Sequence, residues 1–90
     1  VPRDVAVEYA LFDAGLVVQT ICLLAHARGL GTCIMASAVR YPDVLRKVAS
    51  IPEDRRIVAG IALGYPDPDC PLNRFERTRA DTREIVRWVD

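Results

Sequence analysis

From Asp4 to Arg28 apolar residues recur on nearly every side of a 3.6-residue period, and no proline falls between Pro2 and Pro42. The pattern predicts one helix of 25 residues, about 37 Å long at ~1.5 Å per residue. Asp4 is its expected N-cap, Arg28 suits the last turn, and Gly29 suits the left-handed position beyond it, with Leu30 folding back as the hydrophobic contact. Leu11, Ala14, Val18, Ile21, Cys22 and Ala25 form one stripe. Leu16, Val17, Leu23, Leu24 and Ala27 carry apolar character round most of the remainder, which makes this a central helix rather than a surface one.

The small apolar stretch from Gly31 to Ala38 fits a strand or a tight connector equally. Tyr41-Pro42-Asp43 opens a second helix with proline near its first position. Val44, Leu45, Val48 and Ala49 are its expected buried stripe, and Ile51-Pro52 ends it. Ile57 to Leu63 is a continuous apolar run of strand length, as in sheets covered on both faces. Pro66, Pro68 and Pro71 then impose an irregular loop. The tail, Ala80 to Val89, fits a short helix or a strand. One clear strand cannot make a sheet, so the chain is expected to be completed by another segment or chain.

Composition strengthens that expectation. Ninety residues make one small domain at most, and a chain of this size buries only about 60–65% of its unfolded surface. Yet 51% of the residues are hydrophobic and only 7% aromatic, a large aliphatic supply for so little interior. Twelve basic and twelve acidic residues cancel, so no overall field favours nucleic acid, and any anion site must be local. Cys22, Cys33 and Cys70 are odd in number and widely spaced, which argues against a disulfide framework and against zinc and points to a reducing cytoplasm. Val1-Pro2-Arg3-Asp4 does not open a signal peptide. Tyr9 to Ala27 would place Asp13, Gln19, Thr20 and His26 in hydrocarbon, so a buried soluble helix is expected there rather than a membrane span.

Side chains for acid–base or nucleophilic work are scarce. A serine-centred triad would rest on His26 alone, on an apolar helix, with Ser37 and Ser50 the only serines. Nothing near Cys33 in sequence would activate its thiol. Gly29 to Thr32 reads first as a helix stop, and second as small residues that let a flat ligand approach the backbone.

The stretch GYPDPDCPLNRFERTRAD is different in kind. Arg74, Arg77, Arg79, Arg83 and Arg87 stand against Glu76, Asp81 and Glu84, five against three, for a net +2. A solvated, salt-bridged surface is the plain reading of such a run. In extended chain, however, Arg77 and Arg79 point the same way, so two guanidinium forks can converge on one phosphate.

LFDAGLVVQTICLLAHARGLGTCIMASA, a short helix, IPEDRRIVAGIALGYPDPD and NRFERTRADTREIV together resemble the C-terminal half of the FMN-dependent nitroreductase family. The resemblance covers roughly Leu11 to Trp88, and DAGLVVQ followed by GLGTC, then IALGYP before an arginine-bearing tail, are its most specific pieces. It implies a mixed α+β fold, assembled as an intertwined homodimer with FMN at the subunit interface. The implied reaction passes two electrons from NAD(P)H through flavin to a nitroaromatic, quinone or similar small-molecule acceptor. By position, Ile34, Met35, Ala36 and Ser37 would lie along the flavin ring, and Arg77 and Arg79 would hold its phosphate. Family members are longer, and their N-terminal half brings a further arginine-serine-arginine segment to that phosphate, which nothing here matches. The resemblance therefore implies that residues 1–90 form the C-terminal portion of one nitroreductase-like domain, completed by an N-terminal half. The other reading, without catalysis, is a helical dimerisation or scaffold module that lacks a working flavin site.

Overall fold

The computed structural model describes residues 5–90. The expected Asp4 cap lies outside them. Helix α1 spans Val5–Ala27. Its end is a Schellman arrangement: Gly29 N–H donates to His26 O at 3.0 Å and Leu30 N–H to Ala25 O at 2.9 Å. This reversal needs a left-handed residue, and Gly29 supplies it at φ 74°. The Arg28 guanidinium caps the free carbonyl of Leu24 at 3.4 Å.

The chain passes straight into β1 (Gly31–Met35), then a 3-10 turn at Ala36–Val39. Helix α2 (Pro42–Ala49) begins with proline in its first turn and stops at Ser50, which is left-handed at φ 53°. Strand β2 (Gly60–Gly64) runs antiparallel to β1, pairing Gly31 with Gly64, Cys33 with Ala62 and Met35 with Gly60. The segment from Gly31 to Ala38 is thus both of the things its sequence allowed, a strand followed by a tight turn. The sheet has two strands rather than the single clear one. Residues 57–59, expected in the strand, stay outside it, because β1 ends at Met35 and the chain then turns away, leaving them no strand to pair with.

One further expectation changes. The apolar stripe on α2 is not buried: Val48 is 79% exposed, and only Leu45 of the four is half-buried. Arg46 ties α2 to the chain that follows by donating to Arg55 O at 3.2 Å, and it also reaches Asp43 on its own helix at 3.5 Å. Nor is α1 enclosed within this chain. Ala25, at 5% exposure, is the one buried hydrophobic residue among the described residues, while Val17 and Leu23 are 58% and 60% exposed. By length and composition alone α1 could cross a membrane.

These exposures add up to an open shape. A compact protein of 10.0 kDa would show about 5,200 Å² of surface, whereas this chain shows 8559 Å². Its radius of gyration is 17.3 Å, against ~12 Å for a compact domain of this length. Helix, strands and turns form locally, with the apolar faces they create left uncovered.

Candidate functional site

Two groups of residues carry the candidate site, the connector Ile34–Ser37 and the pair Arg77 and Arg79. The connector straddles the end of β1. Ile34 sits opposite Ile61 in the ladder and Met35 opposite Gly60, and then the backbone tightens into the 3-10 turn that holds Ala36 and Ser37. Ile34, Ala36 and Ser37 are exposed and Met35 is half-buried. Ile34 also closes one end of an apolar groove of about 570 Å³ between α1 and β2, lined by Leu11, Val17, Val18, Val58 and Ile61.

The arginines follow a loop that ties itself up. Asp67 receives the amide of Asp69 at 2.9 Å in an Asx turn, and the Asn73 side chain donates to Asp67 O at 2.8 Å. Arg74 closes the same loop through Pro68 O and the Asp69 carboxylate, both at 2.9 Å. Further along, Asp81 caps the single helical turn α3 (Thr82–Ile85), accepting from Arg83 N–H at 2.8 Å and from its guanidinium at 3.1 Å. The Arg83 side chain first, and its backbone N–H second, hold the Asp81 carboxyl below the ordinary carboxylate value. Asp81 is therefore the partner of Arg83.

Arg77 and Arg79 lie between these two tied regions, in chain with no regular structure. Arg77 donates to Leu72 O at 3.5 Å, and its guanidinium carbon stands 5.2 Å from the centre of the Phe75 ring. Arg79 donates to the carbonyl of Thr78 at 2.9 Å. Ion pairs take up Arg74 and Arg83, but neither Arg77 nor Arg79 has a carboxylate in ion-pairing reach among the described residues. Arg77 and Arg79 are thus exposed cationic forks with their charge unmatched. That donor set suits a phosphate dianion, for which paired guanidiniums are the commonest fixed-geometry partner.

His26 lies exposed in the last turn of α1, and Cys22, Cys33 and Cys70 are free thiols. Among the described residues no group of histidine, cysteine and acidic side chains is arranged for a metal. A residue that sequence reasoning passed over is Gly60, taken there as one member of an apolar run. A glycine inside a strand can mark a close approach by another part of the chain, and here the Ala38 Cβ makes that approach.

The helix–strand–turn–helix–strand order, with an arginine-bearing tail, defines an α+β domain. The comparisons make the class specific. The sequence profile of the nitroreductase family matches residues 1–65, and the chain belongs to that family. A 4-nitrobenzoate reductase of Nocardioides sp. (strain LMS-CY) is 46% identical over 83 residues, covering 90% of this chain and 34% of that protein. A nitrobenzene nitroreductase of Ectopseudomonas oleovorans is 33% identical over 87 residues, 96% of this chain and 38% of that one. A crystal structure of a mutant of the FMN and NADPH-dependent nitroreductase NfnB from Sphigopyxis sp. strain HMH superposes with a TM-score of 0.81 at 26% identity. The match covers 88% of this chain and 37% of that one. The fold is therefore nitroreductase-like, and the chain spans about a third of the length of these relatives.

Proposed function

We propose that residues 1–90 are the C-terminal portion of an FMN-dependent oxidoreductase. It passes two electrons from NAD(P)H to a small-molecule acceptor, a nitroaromatic or a quinone, in the cytoplasm. The observation that carries this reading is the pair Arg77 and Arg79, two guanidiniums without a carboxylate partner, set between Arg74 and Arg83, which are ion-paired. Relatives named for 4-nitrobenzoate and nitrobenzene support the acceptor class, and the FMN and NADPH dependence named for the matching structure supports the cofactors.

FMN, when bound, supplies the two-electron chemistry, and the protein supplies placement and electrostatics. Arg77 and Arg79 hold the phosphate by charge-assisted hydrogen bonds. The connector Ile34–Ser37 lies along the ring, where small side chains leave backbone amides free to donate to its edge. Ile34 contributes an apolar wall that keeps water from one side. The rest of the fold, from an N-terminal half and from a second copy in a homodimer, covers α1 and completes the ring pocket. Covering α1 with protein removes the apolar surface that would otherwise suit lipid.

The test is purification of the full-length protein that contains these residues, followed by absorbance and intact-mass measurement. A yellow protein that releases FMN, is bleached by NADPH or NADH without oxygen, and regains colour on adding a nitroaromatic bears the reading out. A folded, colourless protein that takes up no added FMN overturns it in favour of the scaffold.

A further inference from the structure

At Gly60 the two halves of the connector meet the sheet. Gly60 is the first residue of β2 and pairs with Met35, the last residue of β1. Immediately after Met35 the chain winds into the 3-10 turn, and this turn folds Ala38 back over Gly60. A methyl group placed on Gly60 would lie 2.9 Å from the Ala38 Cβ, closer than carbon atoms approach one another, with Met35 Cε and Met35 O at 3.8 and 3.9 Å. The clash cannot be relieved by a rotamer change, because the Ala38 Cβ is fixed to its backbone. Only a shift of the turn, and with it of Met35, Ala36 and Ser37, makes room. The contrast with Gly64 at the other end of β2 is informative: a Cβ there meets nothing within 4 Å.

We propose that the Gly60–Ala38 contact is the positioning device of the connector. The absence of a side chain at residue 60 sets how closely the 3-10 turn lies against the sheet. That in turn sets where the amides of Ala36 and Ser37 stand. The inference rests on the reading that this connector faces the flavin. Gly60 touches no cofactor and acts only through the turn.

The test compares wild type, Gly60→Ala, Ala38→Gly and the double variant Gly60→Ala/Ala38→Gly in the full-length protein, with Arg77→Ala as a reference. Thermal unfolding of the apoprotein, FMN affinity by fluorescence quenching and the midpoint potential of bound FMN are measured. Gly60→Ala weakens FMN binding by roughly tenfold, the consequence of a displaced turn in a packed contact, and it moves the midpoint potential. The double variant returns both to within about threefold and to near the wild-type potential, because removing the Ala38 methyl reopens the space. Should Gly60→Ala fail to fold, the double variant must fold and bind, and its failure sinks the proposal. An unchanged affinity and potential in Gly60→Ala, beside weakened binding in Arg77→Ala, overturns the positioning role while the flavin site stands. A Gly60→Ala protein of lower thermal stability but unchanged potential shows a structural glycine only, and also overturns it. Wild-type protein that binds no FMN removes the flavin site and this inference together.

Discussion

The segment from Val5 to Gly64 and the segment from Tyr65 to Asp90 are both largely exposed, for opposite reasons. The first is regular, with a long helix, two paired strands and a short helix, and it leaves Leu16, Val17, Leu23 and Leu24 more than half exposed. The second has one 3-10 turn and one helical turn, and it is held by short-range polar bonds from Asp67, Asn73, Arg74 and Asp81. The first lacks cover for apolar surface, and the second adds unmatched charge to exposed side chains such as Ile85, Trp88 and Val89. A region of the first kind gains stability by being covered, since hydrophobic burial is proportional to the area removed from water. The second gains from cover only through side chains such as Trp88 and Val89, and its distinguishing feature is the charge it leaves unpaired.

The sharpest way to break that contrast is to charge the exposed face of α1. Leu24→Asp is inconsequential if this face meets water in the assembled protein. If another segment covers it, an unpaired carboxylate is buried and about 3 kcal/mol or more of stability is lost. Chemical denaturation and sedimentation of the full-length protein decide between these, and collapse of the assembly is the expected result.

In the tail the largest effect belongs to the unmatched pair. Arg77→Ala or Arg79→Ala should each weaken FMN binding by roughly ten- to a hundredfold, the worth of a hydrogen bond to a charged group. Arg79→Lys keeps the charge but loses the fork, and recovers only part of the affinity. Arg83→Ala and Arg87→Ala should change it little, Arg83 being engaged with Asp81. Flavin titrations in which all of these variants behave alike would reduce the run to a solvated surface.

A smaller effect tests how far the first region is determined locally. Gly29 is left-handed, with nothing within 4 Å of where a Cβ would stand. Gly29→Ala therefore reports backbone cost alone, about 1 kcal/mol, read as a lowered unfolding midpoint.

The smallest effect is the pH response of α3. The Asp81 carboxyl titrates below its ordinary value of 3.8 because Arg83 stabilises the ionised form. A depressed carboxylate contributes stability that is present above the unfolded value and is lost as pH falls through the folded one. The cap should hold at neutral pH and release below about 3.8, seen as an upfield move of the Arg83 amide proton. The same titration in Asp81→Asn should be flat.

Much of this was legible in residue order. Gly29 after an apolar helical run and Pro42 before Asp43 are local signals with local causes, and α1 ends and α2 begins where they stand. The limits of β2 were not legible, because they depend on where β1 turns away, and the 3-10 turn after Met35 is a pairing decision rather than a propensity. Nor was it legible which arginines would be spent on ion pairs. Arg74 reaches back to Asp69 only because the Asx turn at Asp67 curls the loop, and Arg83 takes Asp81 only because that residue caps a helical turn.

The sequence by itself determined the first two helices, the glycine stop of α1, the apolar excess and the family, since these rest on neighbours a few residues apart and on motifs in fixed order. Only the tertiary structure decided that Gly31–Met35 lies against Gly60–Gly64, that Ala38 closes on Gly60, and that Arg77 and Arg79 stay without carboxylates. Contacts between residues more than twenty positions apart depend on how the chain packs, and no local pattern of side chains encodes that.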